Sequence, residues 1–225
     1  MQLDGDNLIV SAHNEPHNSG GSYDNAGAVY IWTRSGTTWT QQQRLEASDK
    51  AASDIFGNSV AIDGDTCVIG AQQEDAGGSN AGAAYVFTRS GTTWSQQQKL
   101  VASDAAASDN FGTSVGISGD TLVVGTFNAG AAYVFTRSGT TWSQQAKKVP
   151  SDPQQYGYFG TSVDMDSGTI AAGAINYSNN SGQGAVYIFT GSGSSWSQQT
   201  KILGEASGDY FGQDVSVDGD NLLVG

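Results

Sequence analysis

Residues 56–71 read FGNSVAIDGDTCVIGA and residues 83–100 read AAYVFTRSGTTWSQQQKL. Ser59-Val60-Ala61-Ile62 is a short apolar run with β-branched side chains, which favour strands. Asp63-Gly64 follows it, a dipeptide suited to the positive φ of a two-residue hairpin turn. Thr66-Cys67-Val68-Ile69 is the returning strand. Gly70-Ala71 breaks the pattern, and a loop rich in Gly, Ser and Asn runs on to Gly82. Residues 83–89 form a third strand, enriched in aromatic and β-branched residues, and Ser90-Gly91 turns the chain. Trp94 to Leu100 alternates loosely and is the most polar of the four strands. A helical period appears nowhere.

The same unit recurs outward in both directions. The segment from Tyr85 to Trp94 returns at Tyr133 to Trp142, with close variants at Tyr30 to Trp39 and Tyr187 to Trp196. Phe56-Gly57, Phe111-Gly112, Phe159-Gly160 and Phe211-Gly212 are spaced by 55, 48 and 52 residues. Trp39, Trp94, Trp142 and Trp196 are spaced by 55, 48 and 54. Such a period denotes one supersecondary unit with variable loops. The first two strands are small and apolar, so they are expected innermost. The fourth carries Gln and Lys, so it is expected at the exposed outer edge, where polar side chains discourage edge-to-edge aggregation. Four-stranded antiparallel units at this period predict a β-propeller. A solenoid of strands fits less well, because its coils run to about 20–30 residues.

The Phe-Gly pair, the Ser-Val-Ala-Ile run and the Gly-Ala after Cys67-Val68-Ile69 resemble the FG-GAP repeat. That repeat builds the propeller of the integrin α-subunit head and of many microbial surface proteins. The similarity covers essentially the whole chain and is closest to the microbial branch. It implies an extracellular or cell-surface interaction module and implies no particular ligand. In the integrin-like form, the hairpin between the first two strands carries a calcium loop. Here that hairpin has shrunk to Asp63-Gly64-Asp65, Ser118-Gly119-Asp120, Asp166-Ser167-Gly168 and Asp218-Gly219-Asp220. Calcium takes about six to eight oxygen ligands, more than two carboxylates at a tight turn supply. Turn chemistry is their expected role. Calcium binding would need help from the connectors, through Asp49 and Asp54 or Asp104 and Asp109. The Ser and Asp residues there are expected to bond backbone amides instead.

The predicted fold is all-β, a partial propeller of about four and a half repeats. Its units are residues 1–55, expected to lack a first strand, then 56–110, 111–158, 159–210, and 211–225 with two strands only. That counts 17 strands. The last strand, Asn221 to Val224, duplicates Asn7 to Val10 and would be left over from a closed ring, so a window from a longer propeller, or one completed by a partner, is expected.

Composition narrows the function. The 225 residues carry a net charge of −13 and contain one cysteine. No basic patch exists to meet a phosphate backbone, so no nucleic acid is expected. No apolar run approaches a membrane span, so no membrane insertion is expected. Met1 is followed by no charged-then-apolar leader, so no signal peptide is expected in this segment.

Several residues carry candidate chemistry. His13, Glu15 and His17 share one face of an extended loop and suit zinc or copper, but lack a fourth ligand. The four repeated tryptophans suit either sugar stacking or the packing of neighbouring units, and Trp32 at the position of Phe87, Phe135 and Phe189 favours packing. Asn176 and Asn179 head N-glycosylation sequons. Cys67 stands where Leu122 and Leu222 stand, as a small buried hydrophobe. No catalytic, cofactor-binding or metal residue is assigned. The leading expectation is a non-enzymatic extracellular or cell-surface adhesion module binding a protein or glycan through its loops. The alternatives are a structural subunit of an extracellular oligomer or filament, self-associating through incomplete terminal units, and a carbohydrate-binding lectin.

Overall fold

The computed structural model describes residues 1–16, 24–152, 157–177 and 182–225, and all regular structure among them is β. The first sheet holds β1 (Gln2–Asp4), β2 (Asn7–Ala12), β3 (Ala28–Ser35) and β4 (Thr38–Leu45). The second holds β5 (Val60–Asp63), β6 (Thr66–Ala71), β7 (Ala83–Ser90) and β8 (Thr93–Leu100). The third holds β9 (Ser114–Ser118), β10 (Thr121–Gly125), β11 (Ala132–Ser138) and β12 (Thr141–Lys148). The fourth holds β13 (Phe159–Asp166), β14 (Thr169–Ala174), β15 (Ala185–Ser192) and β16 (Ser195–Leu203). β17 (Val215–Asp218) and β18 (Asn221–Val224) pair alone. Every sheet is an antiparallel meander in chain order. Two compact units result: Met1–Gly112 with the first two sheets, and Thr113–Gly225 with the other three.

One expectation is corrected. Residues 1–55 do not lack a first strand, because β1 pairs with β2 through Gln2↔Ile9, Leu3↔Leu8 and Asp4↔Asn7. The described strands therefore number 18. The Phe-Gly pair was the wrong marker: Phe56-Gly57 precedes β5, which starts at Val60. The strand needs only an apolar residue and the Asp-Gly turn, and Leu3-Asp4-Gly5 supplies both. Gly5 and Gly64 take φ of 55° and 57°.

The hairpins are one residue out of phase with the sequence reading. Asp63 pairs with Thr66, so the turn residues are Gly64-Asp65. Glycine at the first central position is the type II′ pattern. In the fourth sheet Asp166 pairs with Thr169, and Ser167 (φ 46°) and Gly168 (φ 82°) are both left-handed, as type I′ demands.

The loose alternation of the fourth strands has a cause. In the second sheet Phe87 faces Gln96 while Val86 faces Gln98, so Gln97 is an extra residue, a β-bulge. Gln42, Gln145 and Gln199 are the extra residues of the other three sheets. Each bulge falls at the same place, beside Trp32, Phe87, Phe135 or Phe189.

Alternation puts two apolar faces on each sheet, and sheets stack through them. In the first unit Ile9, Val29 and Ile31 share a buried cluster with Cys67, Tyr85 and Trp94 of the second sheet. In the second unit Val123 and Val134 meet Met165, Tyr187 and Trp196, while Ala171 and Val186 meet Val215 and Val217. Phe56 lies edge-on to Tyr85 and Phe87, with centroids 5.5 and 6.1 Å apart. Phe159 repeats this with Tyr187 and Phe189 at 5.4 and 6.0 Å. Burying one such ring contributes about 1.5–3 kcal/mol. Glycine then lets the repeats close up: a Cβ on Gly70 would lie 2.0 Å from the Gly112 carbonyl oxygen.

Candidate functional site

Strand direction places two kinds of loop at opposite ends of every sheet. One end carries the tight turns. The other carries the loops between second and third strands and the connectors to the next sheet. Residues 72–82 join β6 to β7, whereas residues 126–131 join β10 to β11. The loops after β2 and β6 are held in the same clamp. The N–H groups of Ile55 and Phe56 donate to the carbonyls of Asn25 and Ala26 at 3.0 and 2.9 Å. One repeat later, Asn110 and Phe111 donate to Asn80 and Ala81 at 3.1 and 2.8 Å. The residue before each Phe-Gly pair is left-handed: Ile55 (φ 56°), Asn110 (56°), Tyr158 (52°) and Tyr210 (52°).

A polar knot lies under the loops. In the second sheet Tyr85 donates its hydroxyl to Asp49 at 2.9 Å, and Lys99 donates to Asp49 at 2.6 Å and to Glu74 at 2.7 Å. Burial works against both charges, yet these bonds hold Asp49 below and Lys99 above their ordinary ranges. In the fourth sheet Tyr187 and Tyr177 both donate to Asp152 at 2.9 Å, and Lys201 donates to Asp152 at 2.5 Å. In the first sheet Tyr30 donates to Glu15 at 2.7 Å, and Arg44 pairs with Glu15 and Glu46 at 2.8 and 2.9 Å. Asp54 lies beneath the second knot, only 5% exposed. Burial pushes its carboxyl up to about 6, with the charges of Glu74 and Asp49 adding to the rise.

These bonds settle several of the weighed residues. Asp49 is held by Tyr85 and Lys99. Asp54 accepts the Ala51 N–H at 2.7 Å, Asp109 accepts that of Ala106 at 2.8 Å, and Asp209 accepts that of Ala206 at 2.6 Å. The connector carboxylates brace turns and do not fit a calcium cage. Among the described residues no group of three or more His, Cys, Asp and Glu stands together as a metal site. Glu15 belongs to the Tyr30–Arg44 knot, His13 is exposed, and His17 lies outside the described residues. Asn176 is 9% exposed and accepts the Gly182 N–H at 3.1 Å, so its amide is committed within the fold. Asn179 lies outside the described residues. Cys67 is buried, and burial pushes its thiol well above the ordinary range.

Trp94, Trp142 and Trp196 are buried, and Trp94 and Trp196 pack between the sheets of their own units, so these three present no stacking platform. Two glutamines of the neighbouring fourth strand serve Trp94. Gln43 exchanges two hydrogen bonds with the Trp94 backbone, both at 2.8 Å, and the Trp94 indole N–H donates to Gln42 at 2.9 Å. The recurrence of Gln-Gln after each Trp was the available signal. At the turn end Arg34, Arg89 and Arg137 pair with Asp6, Asp65 and Asp120 at 2.8, 2.6 and 2.6 Å. Each guanidinium also stands 5.2–5.6 Å from the ring of Trp39, Trp94 or Trp142.

Four-stranded antiparallel blades stacked face to face, with tight turns at one end and variable loops at the other, define a propeller-type repeat protein. The family comparison then places it: the chain belongs to the FG-GAP repeat family, whose model matches residues 39–87, 94–135, 142–189 and 196–225. No curated protein matches the chain. Among solved structures it is similar to a protein from Lactobacillus plantarum, at 15% identity and a TM-score of 0.57, covering 89% of this chain and 54% of that one. The chain thus spans about half of that relative. A weaker likeness is to Sqt1 of Saccharomyces cerevisiae, at 12% identity and a TM-score of 0.47, covering 69% and 37% of the two chains.

Proposed function

We propose that the chain is a non-enzymatic interaction module, working outside the cell or at its surface, that binds a partner through the loops between second and third strands. The observation that carries this reading is the contrast between loop and clamp. Loop length and composition differ from sheet to sheet, while the two hydrogen bonds that seat the loop after β2 recur at the loop after β6. Variable loops on a rigid scaffold are where recognition is commonly built. The net charge of −13 favours a basic or cation-bridged partner and steers its approach.

The test uses immobilised oligolysine and an array of purified extracellular proteins, read by biolayer interferometry at two salt concentrations. A variant replaces residues 72–82 with residues 126–131. Binding that weakens with salt and is lost on exchanging the loop supports the reading. Binding unaffected by the exchange, with the fold retained, overturns it for this loop.

A further inference from the structure

Three connectors make the same turn, and in one of them the turn carboxylate is covered. Asp54, Asp109 and Asp209 each accept the N–H of the residue three before them, at 2.7, 2.8 and 2.6 Å. Asp109 is half-buried and Asp209 exposed, whereas Asp54 is buried. The near foot of the loop at residues 72–82 lies on it. The Gln73 N–H donates to the Asp54 carbonyl at 3.4 Å, and the buried Glu74 carboxylate stands close enough to add its charge. Glu74 is what holds that foot. Its carboxylate accepts from Lys99 at 2.7 Å and from the Ala76 N–H at 2.9 Å, and its carbonyl accepts the Gly82 N–H at 2.8 Å.

The charged and titratable groups that face Asp54 are Asp49 from its own connector, Glu74 from the loop, Lys99 from β8 and Tyr85 from β7. Lys99 is the one cation among them, and it is already shared between Asp49 and Glu74. With Asp54 neutral, two carboxylates share one ammonium. With Asp54 ionised there are three, and the third has no cation of its own. Among the described residues its side chain takes one hydrogen bond, from the Ala51 N–H, where a carboxylate has room for about four. The connector cannot easily yield, because Ile55 and Phe56 are bonded to Asn25 and Ala26. The far end of the loop is pinned likewise, through Asn80 and Ala81 to Asn110 and Phe111. What can yield is the near foot, from Gln73 to Ala76.

We propose that Asp54 is the proton sensor of a latch on the loop at residues 72–82: with Asp54 protonated, Glu74 and Lys99 hold the near foot of the loop shut, and with Asp54 ionised the foot opens and lets water reach the carboxylate. Burial, with the charges of Glu74 and Asp49, raises this carboxyl to about 6 while the latch is shut. A hydrated aspartate lies near ~4. A group whose pKa is higher in the closed state favours that state below pH ~4 and gives it up as pH rises through ~6. Opening of the foot is thus expected to increase about tenfold between pH 5 and pH 7. The motion is a local opening, with the sheets intact. As regulation of a binding loop it rests on the loop-binding reading, while the latch itself needs no partner.

The experiment is amide hydrogen exchange by NMR on the isotope-labelled full chain at pH 5 and pH 7, each rate divided by that of an unstructured peptide at the same pH. Wild type and Asp54→Asn are compared, with melting curves to verify folding and the Ala131 amide of the third sheet's loop as reference. In wild type the Ala76 N–H loses about tenfold in protection between the two pH values, while Ala131 holds steady. In Asp54→Asn the Ala76 N–H is as protected at pH 7 as at pH 5. Unchanged protection in wild type, or an equal loss in Asp54→Asn, overturns the inference. A carbon-13 titration of the Asp54 carboxyl in the wild-type protein decides the matter if the variant does not fold. A midpoint in the ordinary aspartate range overturns the latch, and one near pH ~6 together with the wild-type loss at Ala76 sustains it. No partner is used, so failure here leaves the loop-binding reading standing, and failure of loop binding leaves the latch standing.

Discussion

The second and fourth sheets are built on one plan and differ at both ends. Under the loops, Lys99 sits between two carboxylates, Asp49 and Glu74. Lys201 sits between the Asp152 carboxylate and the Tyr177 phenol, because tyrosine occupies the position of Glu74. At the turn end, the second sheet has Asp65, Arg89 and Trp94 in contact. The fourth has Gly168 and Gly191 in place of the ion pair, and the Trp196 indole N–H donates instead to the Gly193 carbonyl at 2.9 Å. Yet the backbone bond beneath the pair survives: Arg89 N–H to Asp65 at 2.8 Å and Gly191 N–H to Gly168 at 3.0 Å. The blade is therefore specified by backbone bonds and buried rings. The charges are fittings that one repeat lacks without losing the architecture.

The sharpest way to break this comparison is to restore the missing arginine. A Cβ on Gly191 would lie 2.0 Å from the Ser195 carbonyl oxygen. Gly191→Arg is expected to destabilise by about 3 kcal/mol rather than stabilise, and adding Gly168→Asp should not rescue it. Thermal melts of both variants decide the point, and a rise in midpoint would sink it.

Lysine removal probes the other end. Lys99→Met leaves the buried Glu74 and the more exposed Asp49 without their shared cation, at a cost of about 2 kcal/mol. Lys201→Met leaves Asp152 with its two phenol donors and should cost about 1 kcal/mol. Urea titrations that gave equal losses would mean that Tyr177 is no substitute for Glu74.

Asp54 gives the second sheet a pH dependence of its own. Its folded pKa of about 6 lies above the unfolded value near 4. Its contribution is thus fully favourable below pH ~4 and is lost as pH rises through ~6. Asp54→Asn keeps an acceptor for the Ala51 N–H and should stabilise the protein at pH 7 by about 1–2 kcal/mol. The advantage over wild type should vanish as the buffer is acidified toward pH ~4, where the carboxyl is neutral. A gain that is constant with pH would assign the effect to something other than titration.

The smallest effect is expected from Asp65→Asn, which removes the ion pair and leaves Arg89 on Trp94 and Asn7. Asp65 is largely exposed, so the pair is worth at most about 0.5 kcal/mol at low salt and less at high salt. A larger loss would make the pair part of the architecture and weaken the contrast drawn with the fourth sheet.

Most of this frame was legible in the chain. Period and the four-strand plan follow from apolar alternation and glycine, because each reflects a local backbone requirement, although the turn residues of the second sheet fall one position later than Asp63-Gly64 and Ser90-Gly91. The packing role of the tryptophans was legible as well, since Trp32 replaces Phe in a neighbouring position. Three features were not. The first strand at Gln2–Asp4 was missed because the strand does not depend on Phe-Gly: Phe56-Gly57 precedes β5, although Phe159-Gly160 opens β13. The bulge at Gln97 depends on cross-strand register, which no single strand displays. The left-handed residue before Phe-Gly is Ile, Asn or Tyr, so its conformation is imposed by the clamp and leaves no mark in residue type. The knots were hidden for a related reason: Asp49 and Lys99 are fifty residues apart, and only the stacking of one sheet on another brings them together.

The bonds at the foot of the loops have a consequence for how such a chain can diversify. With its ends pinned, by the clamp after β6 or by the Thr126–Ala131 bonds after β10, the loop is a closed ring whose entropy cost grows only with the logarithm of its length. Residues 72–82 cost about 0.5 kcal/mol more to close than residues 126–131. Insertions at a loop tip are thermodynamically cheap, while a change at the anchoring carbonyls of Asn25, Ala26, Asn80 or Ala81 disturbs the next sheet as well. Mutation can therefore explore new tips almost freely, sheet by sheet, without renegotiating the fold beneath them.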